Sequence, residues 1–543
     1  MRPLPLLALL LALAACSPPD RKTAFDPATL PYGIPADPQP KRGGTFVFGR
    51  SADAKGLDPA TMTDGESAMV ATNLFDTLVA YDADTLGIVP SLAERWEKSA
   101  DGTVWTFALR DGVTFHDGTP CDAAAVAFSF LRQKDAGHPA HTAECSYWLD
   151  YFKDVAAVEA VDARTVRFTL SRPYAALLPI LSMFSASIVS PTAFASEGVD
   201  AKGKYAYDFA RKPVGTGPFA FEEWTRGERI VLRAYDAHWR GRPPLDRLVF
   251  RPIQNAQARF KELQAGGVQG IHTPDLIDVP RAAADPALTA LSRAGLNVAY
   301  LAMNCDRPPF DDVRVRRAIA LAIDKRRIVE AAYHGMAEPA ESMCPPGIDG
   351  HLPFPAEKPD PERAKALLAQ AGHPGGFETE LWYGLATRTY LTDPDATAIQ
   401  VAQDLKAIGV RARLIKMEWS AYIPATQRGD HPLCLLGWMA DFNDADNFLY
   451  GLLDKDNARP GSSQNVSFYR GEKVHELLVR ARAEQDAGKR IELYHEAQRI
   501  LRDEAPTVPL AHGRDIRIFR KEVRGFTIHS VGGEYFRTVS FAR

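Results

Sequence analysis

The chain has 543 residues, of which 46% are hydrophobic and 24% are charged, so it has the composition of a folded globular protein. It is too long for a single hydrophobic core, and we expect two or three domains. The formal net charge of −4 offers no basic excess to neutralise phosphates, which excludes nucleic acid as the main partner.

The chain begins with a secretory signal of the lipoprotein type. Met1-Arg2 gives a basic start, residues 4–15 are almost entirely apolar, and the segment ends in Leu13-Ala14-Ala15-Cys16. The apolar run is shorter than the roughly 20 residues of a membrane-spanning helix, and small residues before a cysteine indicate a lipoprotein signal. We predict that residues 1–15 are removed and that Cys16 carries the lipid that holds a periplasmic protein to a membrane. The alternative is an ordinary signal peptide with an incidental cysteine.

Residues 16–44 are predicted to be a flexible tether. Apolar residues do not recur there with the period of a helix or a strand, and the segment contains prolines 18, 19, 27, 31, 35, 38 and 40. Such a segment buries too little apolar surface to fold alone. We therefore expect the globular body to begin near Thr45.

The body has a mixed α/β pattern. Period-two alternation predicts strands over Val104–Leu109 and Thr165–Leu170, and a short strand at Ile230–Leu232. Helical periodicity predicts helices over Val313–Tyr333, from the cap at Asp360 to Gly372, Val474–Ala483 and Ile491–Leu501. Strand-rich stretches lie before about residue 300 and after 506, so the C-terminal segment is expected to complete the first lobe. Two crossings between lobes would form a hinge, as in a clamshell receptor.

Five cysteines remain after the predicted lipidation of Cys16. Disulfides persist in an oxidising compartment, and sequence proximity favours the pairs Cys121–Cys145 and Cys305–Cys344. Cys434 lies in an apolar run and is predicted to be a buried free thiol. No C-x-x-C spacing occurs and the thirteen histidines form no ligand-like cluster, so we expect neither a metal nor a cofactor.

No catalytic motif is present. The sequence lacks G-x-S-x-G and H-E-x-x-H, and the nearest phosphate-loop match, Gly198–Tyr205, lacks the Ser or Thr that would contact magnesium. His116-Asp117 is explained better as a turn with Gly118 than as a catalytic base with its acid. We predict a binding protein and not an enzyme. A periplasmic peptidase and a chaperone-like lipoprotein that binds unfolded segments are the alternatives.

Short motifs occur in a fixed order along the body: Pro90–Trp96, Trp105–Phe107, Leu109–Val113, Phe115–Gly118, Gly215–Phe219, Asp312–Ala318 and Asp360–Lys365. From Gly43 to the end, their order resembles family 5 of the bacterial extracellular solute-binding proteins. The resemblance implies an α/β, bilobal clamshell periplasmic-binding-protein fold, of the type II or cluster C-like class, with an additional subdomain. It also implies a monomer whose partners are a short peptide and the permease subunits of an ABC transporter.

The resemblance implies the following division of the chain. Lobe I is expected to be discontinuous and to consist of residues 45–80, 206–297 and 510–543. The extra subdomain, domain II, is expected over residues 81–205, and lobe III over residues 298–509.

Two segments are similar to ligand-binding segments of the peptide receptors in this family. Trp382–Tyr390 implies that Arg388 binds the carboxylate of a peptide, and Gly437–Phe448 implies that Asp441 binds its ammonium group. A guanidinium fork matches a carboxylate with two parallel hydrogen bonds. Holding both ends would also measure ligand length, because a longer or shorter peptide would leave a buried charge unpaired.

Other candidates for the site surround these two residues. Tyr390 follows Arg388 closely, Trp438 and Met439 precede Asp441, and Gly65 and Glu66 would contribute from lobe I. Three alternatives stay open. Arg388 could instead be a surface arginine paired with Asp393 or Asp395, Asp441 could be a turn residue, and the ligand could be another family 5 solute, such as a nickel chelate, an opine, haem or a glycoside.

Overall fold

The computed structural model describes residues 25–142, 145–200, 202–531 and 533–543. The strands are β1 Gly33–Ile34, β2 Thr45–Arg50, β3 Val79–Tyr81, β4 Ile88–Pro90, β5 Ala93–Lys98, β6 Val104–Leu109, β7 Val155–Asp162, β8 Thr165–Leu170, β9 Phe219–Thr225, β10 Arg229–Ala234, β11 Arg247–Pro252, β12 Gly270–His272, β13 Leu288–Ala294, β14 Asn297–Met303, β15 Ala337–Pro339, β16 Glu378–Gly384, β17 Arg411–Met417, β18 Leu433–Met439, β19 Thr507–Arg520, β20 Val523–Arg524, β21 Phe526–Thr527 and β22 Ser540–Phe541.

The helices lie mostly in the second half of the chain. They are α1 Gly65–Leu74, α2 Ala123–Lys134, α3 Leu177–Ile180, α4 Pro191–Ala195, α5 Ala256–Ala265, α6 Val279–Ala284, α7 Val313–Ala322, α8 Lys325–Tyr333, α9 Pro361–Gln370, α10 Pro394–Ala407, α11 Trp419–Arg428, α12 Asp446–Leu453, α13 Glu472–Ala483 and α14 Ala487–Glu504. No helix in this part of the chain is long and apolar enough to cross a membrane.

One long strand joins the two halves of the main sheet. The first half of β19, residues 507–513, pairs with β14 and β15, and its second half, residues 514–520, pairs with β12 and β13. The sheet runs in the order β17-β16-β18-β14-β19-β12-β2-β11-β10-β9. The C-terminal segment therefore connects a sheet built from early strands to one built from late strands, as the distribution of strands predicts. The residue boundaries of the three lobes stay predictions.

A separate antiparallel sheet, β5-β6-β8-β7, forms within residues 93–170. The side chains that alternate inward on β6 and β8 pack on α2 around a core of fully buried phenylalanines, including Phe107, Phe130 and Phe168. Both strands coincide with the segments predicted from period-two alternation. The alternation was informative because one face of this sheet is buried.

The predicted helix over Val313–Tyr333 is wrong in one respect. The structure has two helices, because Ile323 adopts extended dihedral angles and α8 starts anew after Asp324. The Asp324 side chain accepts hydrogen bonds from the backbone N–H groups of Arg326 and Arg327, as an N-cap does. The continuous hydrophobic pattern did not reveal this break.

The predicted tether extends less far than residue 44. From Asp26 onward the chain lies on the body: Asp26 caps a short helical turn, β1 pairs with β21, and the N–H of Ser292 donates to the carbonyl of Pro31 at 2.9 Å. These long-range contacts provide hydrogen-bond partners for backbone groups of a segment in which the local sequence pattern predicted no secondary structure. The predicted signal peptide and Cys16 lie outside the described residues.

The predicted disulfides are not formed. Cys121, Cys145, Cys305 and Cys344 are free thiols, as is Cys434, which matches the prediction for that residue. Each thiol lies in or against an apolar core cluster, where cysteine packs as a small hydrophobic side chain. Proximity in sequence therefore did not indicate pairing, because a disulfide requires closely facing Cβ atoms.

We expect five reactive thiols when a Cys16→Ser variant is denatured without reductant and titrated with a thiol reagent. Prior reduction of the same sample should leave the count unchanged. A count of one or three that rises to five after reduction would contradict the free-thiol state.

Candidate functional site

The two key predicted residues lie at one edge of the main sheet. Strands β16 and β18 are parallel, with Leu381 paired to Leu433 and Tyr383 paired to Leu435. Parallel neighbours end at the same edge, and the crevice outside the carboxyl ends of strands is a common place for ligands. The segment after β16 contains Arg388, and the segment after β18 contains Asp441.

Tyr390 connects these two segments. It is buried, and its ring lies against Gly437 of β18, where any Cβ would collide with the ring. The Tyr333 hydroxyl donates to the Tyr390 carbonyl, and paired backbone hydrogen bonds of 3.0 Å join Arg388 to Leu391. Arg388 is therefore presented on a short closed turn that is held against β18.

The guanidinium of Arg388 has no acidic partner. It lies over the ring of Trp419, 4.6 Å from the ring centroid, and no carboxylate of the described residues comes within 4 Å of it. Asp393 caps α10, and Asp395 pairs with Lys416 at 2.7 Å, so neither forms the surface pair considered as an alternative. Arg388 is exposed and is available to an anionic ligand.

Asp441 carries the opposite, equally unpaired charge. Its Oδ1 accepts a hydrogen bond from the Tyr147 hydroxyl at 3.1 Å, and its Oδ2 accepts one from the Tyr151 hydroxyl at 3.2 Å. Its backbone N–H donates to Asn447 Oδ1 at 3.0 Å. Burial raises the pKa of Asp441 to about 6, although the hydrogen bonds from Asn447 and the two tyrosines lower it in part. No lysine or arginine of the described residues lies within ion-pair distance.

Sequence analysis missed the two tyrosines. Tyr147 precedes the helical turn Trp148–Phe152 and Tyr151 lies within it. Their spacing of four residues places both side chains on one face of the turn. Tyr151 packs edge-on against Phe442, with ring centroids 5.4 Å apart. The spacing of these aromatic residues was visible in the sequence, but it is equally typical of a core helix.

Trp438 and Met439 do not line the same surface. Trp438 is half-buried and its Nε1 donates to Asn447 Oδ1 at 3.1 Å. Met439 is 49% exposed on the opposite face of β18, as alternation along a strand requires. Trp438 therefore supports Asn447, which in turn bonds to the backbone of Asp441.

The predicted contributor Gly65 lies at the start of α1. Asp64 caps this helix, and a Cβ added at Gly65 would meet open space. Burial and the carboxylates of Asp441, Asp150 and, less strongly, Asp64 raise the pKa of Tyr147. The role of Gly65 in ligand binding stays a prediction.

Glu66 has partners of its own. Its Oε1 accepts a hydrogen bond from the Ser51 hydroxyl at 2.6 Å, and its Oε2 lies 3.8 Å from Arg50 Nη1. The charge of Glu66 is therefore balanced within the protein by Arg50, although its buried Oε2 accepts no hydrogen bond from the described residues. Asp441 is the better candidate to bind a ligand ammonium group.

One group of potential metal ligands lies elsewhere in the described residues. Ligand atoms of Asp454, Asp456 and His475 lie within 4.8 Å of one another. His475 Nδ1 is 3.0 Å from both oxygens of Asp454, so the pair is already satisfied by hydrogen bonding.

Comparison with known proteins gives a consistent result. Residues 87–460 match the model described as bacterial extracellular solute-binding proteins, family 5 middle. The chain is 34% identical over 510 residues to the dipeptide-binding protein of Escherichia coli (strain K12), covering 91% of this chain and 94% of that protein. It is also 34% identical over 551 residues to heme-binding protein A of Haemophilus influenzae, and this match covers 99% of this chain and 98% of that protein.

A solved structure extends the comparison to the fold. The ABC transporter-associated periplasmic binding protein DppA from Helicobacter pylori, in complex with the peptide STSA, superposes with a TM-score of 0.81 at 34% identity. The match covers 93% of this chain and 99% of that chain.

The raised pKa of Asp441 predicts a pH-dependent stability. An unfolded aspartate has a pKa of about 3.9, so ionising the half-buried carboxyl costs stability as the pH rises through the window from about 4 to about 6. We expect Asp441→Asn to raise the free energy of unfolding of the ligand-free protein by about 1 to 2 kcal/mol at pH 7.5, a value that allows for the partial exposure of the carboxyl. This stabilisation should vanish near pH 4, where the aspartate is protonated.

Thermal unfolding of both proteins between pH 4 and pH 8 measures this effect. Asp311→Asn, which neutralises an exposed aspartate, is the matched control and should change stability little. Equal effects of the two substitutions at every pH would contradict an unpaired charge at Asp441.

Proposed function

The chain belongs to family 5 of the bacterial extracellular solute-binding proteins, and we propose that it captures dipeptides and short oligopeptides for a peptide ABC transporter. Members of this family are transport receptors and not enzymes, and the similar structures confirm the predicted α/β clamshell fold of periplasmic binding proteins. We further propose that Cys16 carries the lipid that holds the receptor to a membrane.

The observation that carries the peptide assignment is the pair of unpaired opposite charges. Arg388 and Asp441 occupy neighbouring segments at the same sheet edge, and neither has a charged partner among the described residues. A peptide with free termini is a zwitterion and supplies both missing partners. Within a closed cleft each pair is shielded from water and strengthens.

The ammonium end of the peptide would reach Asp441. Hydrogen bonds from Tyr147 and Tyr151 orient the carboxylate, and a cation beside it would favour its ionised form. These tyrosines belong to residues 145–152 and already hydrogen-bond Asp441, so a bound ammonium group would lie at the contact between that segment and the end of β18. A ligand that binds the closed arrangement better than the open one shifts the population toward closure.

The carboxylate end would reach Arg388. The ring of Trp419 lies below the guanidinium, and Nη1 donates to the Thr387 carbonyl at 3.3 Å; the remaining N–H groups would donate to a carboxylate. Peptide backbone groups between the two poles would form strand-like hydrogen bonds that do not depend on side-chain identity.

Haem is the second candidate ligand, because a haem-binding protein matches 99% of the chain. The two propionates of haem provide anions but no ammonium group, so Asp441 would have no partner. The paired poles therefore favour a peptide. An ABC transporter permease is the expected partner that detects closure.

Isothermal titration calorimetry of ligand-free protein with Ala-Ala, Ala-Ala-Ala and N-acetyl-Ala-Ala tests the proposal. We expect tight binding of Ala-Ala and a loss of at least thirtyfold when the ammonium is acetylated. Arg388→Ala and Asp441→Ala should each weaken Ala-Ala binding by a similar factor, since removing one partner of a buried charge pair costs about 2 to 5 kcal/mol.

Arg326→Ala removes an exposed arginine that forms no ion pair among the described residues, and it should bind Ala-Ala like the unmodified protein. Equal affinity for free and acetylated peptide would contradict Asp441 as the ammonium site. Absence of binding to all three peptides, with haem bound instead, would reject the peptide assignment and leave the family unchanged.

A further inference from the structure

A cavity of about 360 Å³ is lined by residues other than Arg388 and Asp441, although its lining residue Phe184 packs on Tyr147, with ring centroids 5.0 Å apart. It is bounded by the C-terminal half of α1, by the hairpin of β3 and β4, and by Thr527, His529, Tyr535, Arg537 and Thr538. None of the cleft residues described above lines it. The cavity therefore needs an explanation that is independent of peptide binding.

Two arginines of this cavity lack acidic partners. Arg240 and Arg537 both line it, and neither comes within 4 Å of a carboxylate of the described residues. The Arg240 guanidinium stacks on Trp239, 4.3 Å from the ring centroid, while Arg110 stacks on the same ring at 4.7 Å. Burial lowers the pKa of Arg240, the carboxylate of Asp76 opposes this, and the like charges of Arg537 and Arg110 lower the pKa further.

The acidic groups of the cavity are engaged with neutral donors. Asp76 Oδ2 accepts hydrogen bonds from the Thr216 hydroxyl at 2.9 Å and from Trp239 Nε1 at 3.0 Å. Asp82 Oδ1 accepts two hydrogen bonds of 2.9 Å from Thr85, one from its N–H and one from its hydroxyl. Neither carboxylate accepts a hydrogen bond from Arg240 or Arg537. Arg240 Nη2 donates to the Pro90 carbonyl at 3.4 Å, and the other N–H groups of the two guanidiniums form no hydrogen bond within the described residues.

The remaining lining mixes polar and apolar side chains and includes an unsatisfied buried group. The Nε2 of His238 is fully buried and has no hydrogen-bond partner in the described residues; its nearest acidic atom, Asp76 Oδ2, is 3.8 Å away. Residues with hydroxyl groups, among them Ser91, Ser187 and Tyr535, also line the cavity. Buried polar groups without partners are rare and usually indicate a water or ligand position.

We infer that this cavity is a second binding site, for a small polar organic anion whose carboxylate or phosphate is held by Arg240 and Arg537. Two guanidinium groups offer the planar donor pairs that both anions match. The volume exceeds that of an inorganic ion, and the hydroxyl groups suit a ligand that also carries hydroxyls.

Calorimetric titration at low ionic strength with citrate, glucose 6-phosphate and inorganic phosphate tests this site, because salt would screen the exposed arginines. We expect one saturable site for at least one of the two organic anions. Its affinity should fall at least tenfold in the double variant Arg240→Gln/Arg537→Gln. Ala80→Leu, which fills the cavity without changing its charge, should have the same effect.

Two controls separate this site from other arginines. Arg233→Gln removes an exposed arginine outside the cavity, and Arg388→Ala disables the proposed peptide site; both should bind the anion normally. Preference for citrate assigns a carboxylate ligand, and preference for glucose 6-phosphate assigns a phosphate ester. Absence of saturable binding of all three anions, or binding that only Arg388→Ala removes, would overturn the inference.

Discussion

The parallel pairing of β16 with β18 is the constraint on which the binding site depends. Because both strands run in the same direction, the segments that follow them leave the sheet at one edge and bring Arg388 near Asp441. Tyr390 locks the arrangement by packing on Gly437, a position where only glycine leaves room for the ring. A shift in this pairing would displace the segment that contains Arg388 relative to the one that contains Asp441.

The ligand-free protein holds charges that its own residues do not neutralise. A half-buried carboxylate without a cation is unfavourable, and it persists at Asp441 because the hydroxyls of Tyr147 and Tyr151 and the side-chain amide of Asn447 donate hydrogen bonds to it. Binding of a zwitterion would give Asp441 a cationic partner and Arg388 an anionic partner. The same groups would therefore provide both affinity and the preference for free peptide termini.

The segment behind Asp441 is held rigidly by buried ion pairs. Asp446 lies 3.2 Å from Arg482 and accepts a hydrogen bond from the Tyr174 hydroxyl at 2.9 Å, while Asp444 pairs with Arg490 at 2.6 Å. These contacts tie the end of β18 to helices α13 and α14 and to the residues that follow β8. Such support keeps the carboxylate of Asp441 in one position, which a length-selective site requires.

The α/β class, the strands β6 and β8 and the cap of α9 could be predicted from the sequence, and the family resemblance named Arg388 and Asp441, whose roles in binding stay predictions. These features follow from local periodicity, local capping or ordered motifs, and each of these signals can be recognised within a short stretch of the sequence. The break at Asp324, the docking of residues 26–34, the free cysteines and the hydrogen bonds from Tyr147 and Tyr151 to Asp441 became visible in the three-dimensional structure. Each of these depends on contacts between residues far apart in the chain, and the energies of such contacts cannot be read from neighbouring residues alone.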